Sequence, residues 1–353
     1  MSLSKVAVLK TSPETVIEDY TRLMRLVSYT DVVSFEHDIL VVVDVSWHHF
    51  FPACSTTPWQ IDGVVKTLIE DGFPRENIYA CYHKTAGVST KKGEIFNRHR
   101  CAVEKHSIQT VYLGEDDSGI ADSSEQSMKV LEKLFPYGTR IPECFKNKNI
   151  ILLPTMKTHL QTTISGALYT LFGGDVFKNL SSAHPIFHDS LVQSLTVLKE
   201  LSSGMLAVMD GTFAGDGAGP RRLDPHMTHY IAASPDPVAL DAVAAHMMGF
   251  DPLAVPFIRF AHDAGLGTGD IREVDIIGED IAQVNFHFDV ETSVLDFMLK
   301  KLEARLSGSI LAPFISRIDM MYTDWYWYVA VGEKRIRKAM SSGWGKLFES
   351  YRK

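Results

Sequence analysis

The triplet Lys157-Thr158-His159 follows two residues after the apolar run "KNIILLP" at 148–154. In an extended backbone, residues two apart project to one side, so this lysine and histidine can face one ligand. An ammonium holds an anion, or forms a Schiff base once its pKa is depressed. An imidazole exchanges a proton near neutral pH or ligates a metal. A surface lysine beside a histidine bonded to a carbonyl gives the same triplet, so its surroundings must decide. Thr162, Thr163 and Ser165 come next, ahead of a helical pattern that runs to Leu171. The N–H groups at such a helix start favour an anion.

Titratable groups also follow three other apolar runs. His48, His49 and Cys54 lie beyond "DILVVVDV" (38–45), ahead of a helix start at Thr57-Pro58. His83 and Lys84 follow "NIYACY" (77–82), and Asp210 ends "MLAVMD" (205–210). The stretch "GTFAGDGAGPRR" then lacks G-K-[ST], and Pro220-Arg221-Arg222 stands where a dinucleotide fingerprint would open a helix. It reads as a flexible glycine-rich loop whose Arg221 is suited to covering an anionic ligand. His48, His49, Thr57, His83, Lys84, Asp210 and Arg221 are therefore the expected substrate-binding groups, around Lys157 and His159 as catalytic ones.

Asp241 joins the catalytic candidates for a different reason. Within "PVALDAVAAHMM" only Asp241 and His246 are polar, and a helix apolar nearly all round is buried. A buried carboxylate needs a partner, and the two polar residues are about 140° apart around the helix. The partner must come from outside, either as a structural cap or as part of a site. His184 and His188, four apart, have the spacing of paired metal ligands, though the glutamate of H-E-x-x-H is missing. With His159 they are the expected ligands of a divalent metal, should one be used.

These groups need a scaffold to converge. Eight short apolar runs qualify as strands: 5–10, 38–45, 77–82, 109–113, 148–154, 205–210, 229–234 and 273–278. Helical patterns such as "PWQIDGVVKTLIEDG", "HPIFHDSLVQSLTVLKELSSG" and "DPVALDAVAAHMMG" lie between several of them. Continuously apolar strands are buried on both faces, so the reading is α/β with mostly parallel sheets. Two lobes are expected, at 1–145 and 146–306, with a C-terminal aromatic and basic extension at 307–353. In open parallel sheets ligands bind beyond the carboxyl ends of the strands, where all four groups of candidates fall.

Composition narrows the function. The chain has 353 residues and a net charge of −8, which disfavours a nucleic-acid binder drawn to phosphates. The extension is +4 and the rest −12. Its aromatics, Trp325 to Tyr328, suit a lid or a contact between copies better than a membrane-interface segment, since no long amphipathic helix with a clean basic face precedes them. Four widely spaced cysteines with no C-x-x-C pair argue against a local iron–sulfur loop. With no apolar leader and no run long enough to span a bilayer, cytoplasmic residence is expected.

Four segments in order, "PTMKTH", "ISGALYTLFGG", "MDGTFAGDGAGP" and "ASPDPVALDAVAAHMMGFDP", resemble the family catalogued as domain of unknown function 362. The resemblance extends over about residues 38 to 280. Many members carry ferredoxin-type cysteine clusters, which this chain lacks. Tyr169-Thr170 also replaces the Lys-Asn usual before the family's last Leu/Phe-Gly. The family is distantly similar to the nickel-pincer lactate racemases, whose interdomain cleft uses lysine and histidines. The expected function is an enzyme acting on a small anionic metabolite between the lobes, as an isomerase or oxidoreductase. A non-catalytic ligand-binding protein is the alternative.

Overall fold

The computed structural model describes residues 3–83, 87–113, 145–171, 184–290 and 318–352, with backbone only for 184–187. Eleven strands are present among them: β1 (Ser4–Lys10), β2 (Ile39–Val43), β3 (Ile78–His83), β4 (Gln109–Leu113), β5 (Asn149–Leu153), β6 (Thr155–His159), β7 (Thr163–Ile164), β8 (Gly204–Ala218), β9 (Arg222–His226), β10 (Tyr230–Ser234) and β11 (Val274–Gly278). Eight form the path β11-β1-β10-β8-β5-β2-β3-β4. They are the eight expected from their apolar runs. The succession β8-β5-β2-β3-β4 is parallel, β10 runs antiparallel to both neighbours, and β11 is parallel to β1. The class is α/β with a mostly parallel sheet.

Burial on both faces explains the unbroken apolar strands. Leu40, Val42, Ile150 and Leu152 join a core shared with the helices Ala167–Leu171, His184–Leu201, Pro237–Met248 and Pro256–Asp263. Ile39, Val41, Val43, Ile151 and Leu153 face the opposite core, with Val16–Leu26, Pro58–Glu70 and the C-terminal Trp327, Trp344 and Phe348. Strands from both expected lobes alternate in one sheet: β10 and β8 lie between β1 and β5, and β5 pairs with β2 along its full length. A division at residue 145 would cut those hydrogen bonds, so the expected site between lobes becomes a site at a sheet edge.

Connectivity places that edge. From β2 the chain steps outward to β3 and β4, then returns to β5 on the other side of β2 and continues to β8. The order reverses between β2 and β5. Such a switch point leaves a crevice at the carboxyl ends of its two strands.

The glycine-rich stretch after Asp210 is not the loop its composition suggests. β8 continues through it to Ala218, pairing with β9 and with β6. Gly215 makes this possible, because a Cβ there would lie 2.7 Å from Leu223 Cδ1. The C-terminal extension packs back on the domain: Trp344 packs on Trp59 at a tilt, with ring centroids 5.3 Å apart, and the Tyr351 hydroxyl donates to Asp62 at 2.6 Å. Its segment Tyr322–Gly332 is a π-helix.

Candidate functional site

β5 and β6 are one strand bent at Pro154. Its carbonyl accepts the Asp210 N–H and the Gln60 amide, both at 3.0 Å. Past that bend β6 leaves β2 and follows β8, with Lys157 opposite Gly215. The lysine side chain then lies over the carboxyl end of β2 and is 1% exposed. Its ammonium donates to Asp44 Oδ2 at 2.6 Å, to the Ser46 hydroxyl at 3.1 Å and to the Cys54 carbonyl at 2.5 Å. Three protons meet three acceptors, which is what a buried ammonium requires. Asp44 is the first residue after β2, so the ion pair spans the two strands that flank the switch point.

His159 is two residues on and also buried. The Thr162 hydroxyl lies 2.9 Å from its Nδ1, and the N–H groups of Gln161 and Thr162 point at the same nitrogen, each at 3.3 Å. The ring packs on Tyr169 with centroids 4.5 Å apart. Burial and the nearby Asp44 charge raise the Tyr169 pKa, with Arg221 opposing, so the phenol is neutral. Burial pushes the Cys54 thiol up to about 11, against the pull of Lys157, and its Sγ donates to the Pro220 carbonyl at 3.0 Å. At neutral pH it is a thiol and a poor nucleophile.

Arg221 Nε donates to the Ser46 carbonyl at 3.1 Å, and among the described residues it has no carboxylate partner. The Lys157–Asp44 pair is neutral as a unit. Arg221 therefore leaves a net positive charge at the rim of the site. At the end of β3, both ring nitrogens of His83 are buried without a hydrogen-bond partner among the described residues. Burial pushes its pKa down to about 4 despite the Asp44 charge, so the ring is neutral. His99, which the sequence did not single out, is fully buried with Nε2 2.6 Å from the Thr56 carbonyl.

The remaining expected site residues lie in other clusters. Asp210 is fully buried and its Oδ2 accepts from the Tyr20 hydroxyl, the Thr57 hydroxyl and the Trp59 indole, each at 2.8 Å. Its Oδ1 takes the Thr212 N–H and hydroxyl. Burial raises its pKa, against the hydrogen bonds from Thr212, Thr57 and Tyr20. Asp210 and Thr57 thus tie helix Pro58–Glu70 to β8 and are absent from the contacts of Lys157. Asp241 accepts the N–H groups of Ala167 at 2.6 Å and Leu168 at 3.0 Å. It caps the short helix that carries Tyr169. Burial pushes its pKa up to about 7, with those amides opposing. Gly166, at φ +83°, lies against this carboxylate, and a Cβ there would come within 2.3 Å of Oδ1.

Of the expected metal ligands, the side chains of His159 and His188 are described. His159 is held as above, and His188 stacks on Phe257 at 6.0 Å within the helical layer. The side chain of His184 and all of Lys84 lie outside the described residues. His48 and His49 instead stand beside Asp324 of the π-helix, with His48 Nε2 3.7 Å from Asp324 Oδ2. Burial lowers the pKa of both imidazoles.

Residues 39–246 match the model of a family described as Domain of unknown function (DUF362), well over half of the chain. The chain belongs to this family. The match spans Asp44, Ser46, Cys54, Lys157, His159, Tyr169 and Arg221, but not Asp324. A curated relative, the Thylakoid-associated protein sll1697 of Synechocystis sp., is 31% identical over 120 residues. That alignment covers 33% of this chain and only 37% of the relative's length. No solved structure matches. Among the described residues, no helix is long and apolar enough to cross a membrane.

Proposed function

We propose that the protein is an enzyme acting on a small anionic metabolite bound at the carboxyl edge of the sheet, between β2 and β5. One observation carries this: a neutral buried Lys157–Asp44 pair lies at the switch point, with Arg221 beside it lacking a carboxylate partner. Arg221 meets the carboxylate or phosphate of the ligand, for which a guanidinium fork is suited. Lys157, steadied by Asp44, faces negative charge that develops next to that group. His159 takes up the proton abstracted from the ligand and returns it, acting in turn as base and acid. Proton abstraction with isomerisation fits this set better than reaction through a cysteine nucleophile, because Cys54 is a thiol at neutral pH. Cytoplasmic residence and self-association through the exposed side of the C-terminal extension, where Trp325 is 80% exposed, belong to this reading.

The rival is a binding protein without catalysis. The fully satisfied ammonium favours it, since all three of its protons already have acceptors. Solvent exchange separates the two. In D2O, proton NMR of lactate, malate and glycerate with the full chain should show deuterium entering the carbon next to the carboxylate of at least one of them. Lys157→Met and His159→Asn should each slow that exchange by about a hundredfold, the scale of general acid–base catalysis. Binding of such an anion with no exchange at all would establish the rival.

A further inference from the structure

A second set of ligating side chains meets at the loop that carries Ser46, and the reading above does not use it. His48 and His49 follow β2, and Asp324 comes from the π-helix Tyr322–Gly332, beyond the family match. One ligand atom from each residue lies within 4.8 Å of the other two. Ligands bound tetrahedrally at about 2.0–2.1 Å from zinc stand about 3.3–3.4 Å apart, so each side chain would move by less than about an ångström. His48 Nε2 and Asp324 Oδ2, at 3.7 Å, are nearly at that spacing already.

Neither imidazole is committed to a structural hydrogen bond among the described residues. His48 Nδ1 is buried without a partner, and its Nε2 stands beyond hydrogen-bond reach of Asp324. His49 is held by its ring alone, stacked on Tyr328 at 4.6 Å and edge-on to Trp47 at 5.5 Å. The carboxylate, by contrast, is oriented. Trp47 Nε1 donates to Asp324 Oδ1 at 2.7 Å, leaving Oδ2 as the oxygen nearer His48. Metal sites hold their carboxylates by this kind of outer hydrogen bond.

We infer that His48, His49 and Asp324 bind one divalent transition-metal ion of the zinc class. Two imidazoles and a carboxylate are the donor types such an ion takes, and three protein ligands leave one tetrahedral position for water or an anion. The ion fastens the C-terminal π-helix to the loop that also carries Ser46, so the extension becomes part of the edge where Lys157 sits. The inference needs no anion at Arg221 and stands whether or not the protein is an enzyme.

The test uses the full chain, stripped with a chelator, dialysed, and titrated with CoCl2 and then ZnCl2. One equivalent of Co2+ should give visible absorption of the intense low-coordination type, and one equivalent of Zn2+ should displace it and raise the melting temperature. His49→Ala and Asp324→Asn should each weaken Co2+ binding by about tenfold or more, on the scale by which even outer-shell changes weaken metal sites. The asparagine keeps an acceptor for Trp47, so its metal-free melting temperature should stay near that of the stripped wild type. Exposed His287→Ala serves as the control and should leave the stoichiometry at one. No saturable uptake by the wild type overturns the inference, as does uptake that His49→Ala and Asp324→Asn leave unchanged.

Discussion

Lys157 and Asp44 depend on each other. An ammonium with 1% exposure is tolerable only while its charge and all three protons are met. Lys157→Met should cost about 3 kcal/mol or more, because it leaves Asp44 without its cation. Adding Asp44→Asn should recover more than half of that loss in urea melts. A double variant as unstable as the single one would mean that the pair is not what holds this edge. The sequence disclosed the lysine but concealed the carboxylate. Asp44 sits at the end of "DILVVVDV" and reads as a strand terminus. The usable signal was an acid directly after a run of buried apolar residues, which requires a cation from a neighbouring strand. Tyr169 stood out only as a departure from the family pattern, and its contact with His159 depends on tertiary packing.

Asp241 answers to the same chemistry with the opposite sign. Its pKa in the folded protein is about 7, above the ordinary 3.8, so between those values the folded state holds more protons than the unfolded one. Its effect on stability is therefore most favourable below about pH 4 and declines as pH rises through 7. Relative to wild type, Asp241→Asn should flatten the fall in unfolding free energy between pH 4 and pH 8, and leave any anion affinity within about twofold, well under the tenfold step of 1.4 kcal/mol. An unchanged pH slope would show that the carboxylate does not titrate in that window.

At the scale of elements, what the sequence revealed and what it hid divide along one line. The eight strands of the main path were marked by their apolar runs, and the central β2 and β5 are buried on both faces. β6, β7 and β9 were not marked. "TMKTH", "TI" and "RLDPH" are short or polar, and they become strands only because β8 extends far enough to pair with β6 and β9. The elements hidden from the sequence are thus the ones that carry or frame Lys157 and Arg221. Residues chosen for chemistry break the apolar pattern by which strands are recognised. The C-terminal extension divides likewise into a buried and an open side. Trp344 is 1% exposed and Trp325 is 80% exposed. Trp344→Ala should cost about 3–5 kcal/mol and Trp325→Ala almost nothing. Equal losses would mean that the extension does not pack on the domain as described.

Across the whole molecule, the decisive feature is the reversal of strand order between β2 and β5. The sequence reading placed the chemistry in a cleft between two lobes, 1–145 and 146–306. One sheet holds strands of both, and Asp44, Lys157, Cys54 and Arg221 gather at its edge. Strand pairing across a hundred residues of chain is not written in local periodicity, so the order of the strands was hidden where the α/β class was not. The central claim is that this edge binds a small anion through Arg221. It is tested most directly by calorimetric titration of the full chain with whichever of lactate, malate, glycerate or inorganic phosphate raises its melting temperature most. Wild type should bind one equivalent, and Arg221→Ala should bind about tenfold or more weakly, a loss of about 1.4 kcal/mol or greater, while melting at nearly the same temperature without ligand. Equal affinity in the two proteins, or no binding of any of these anions to the wild type, would contradict the account.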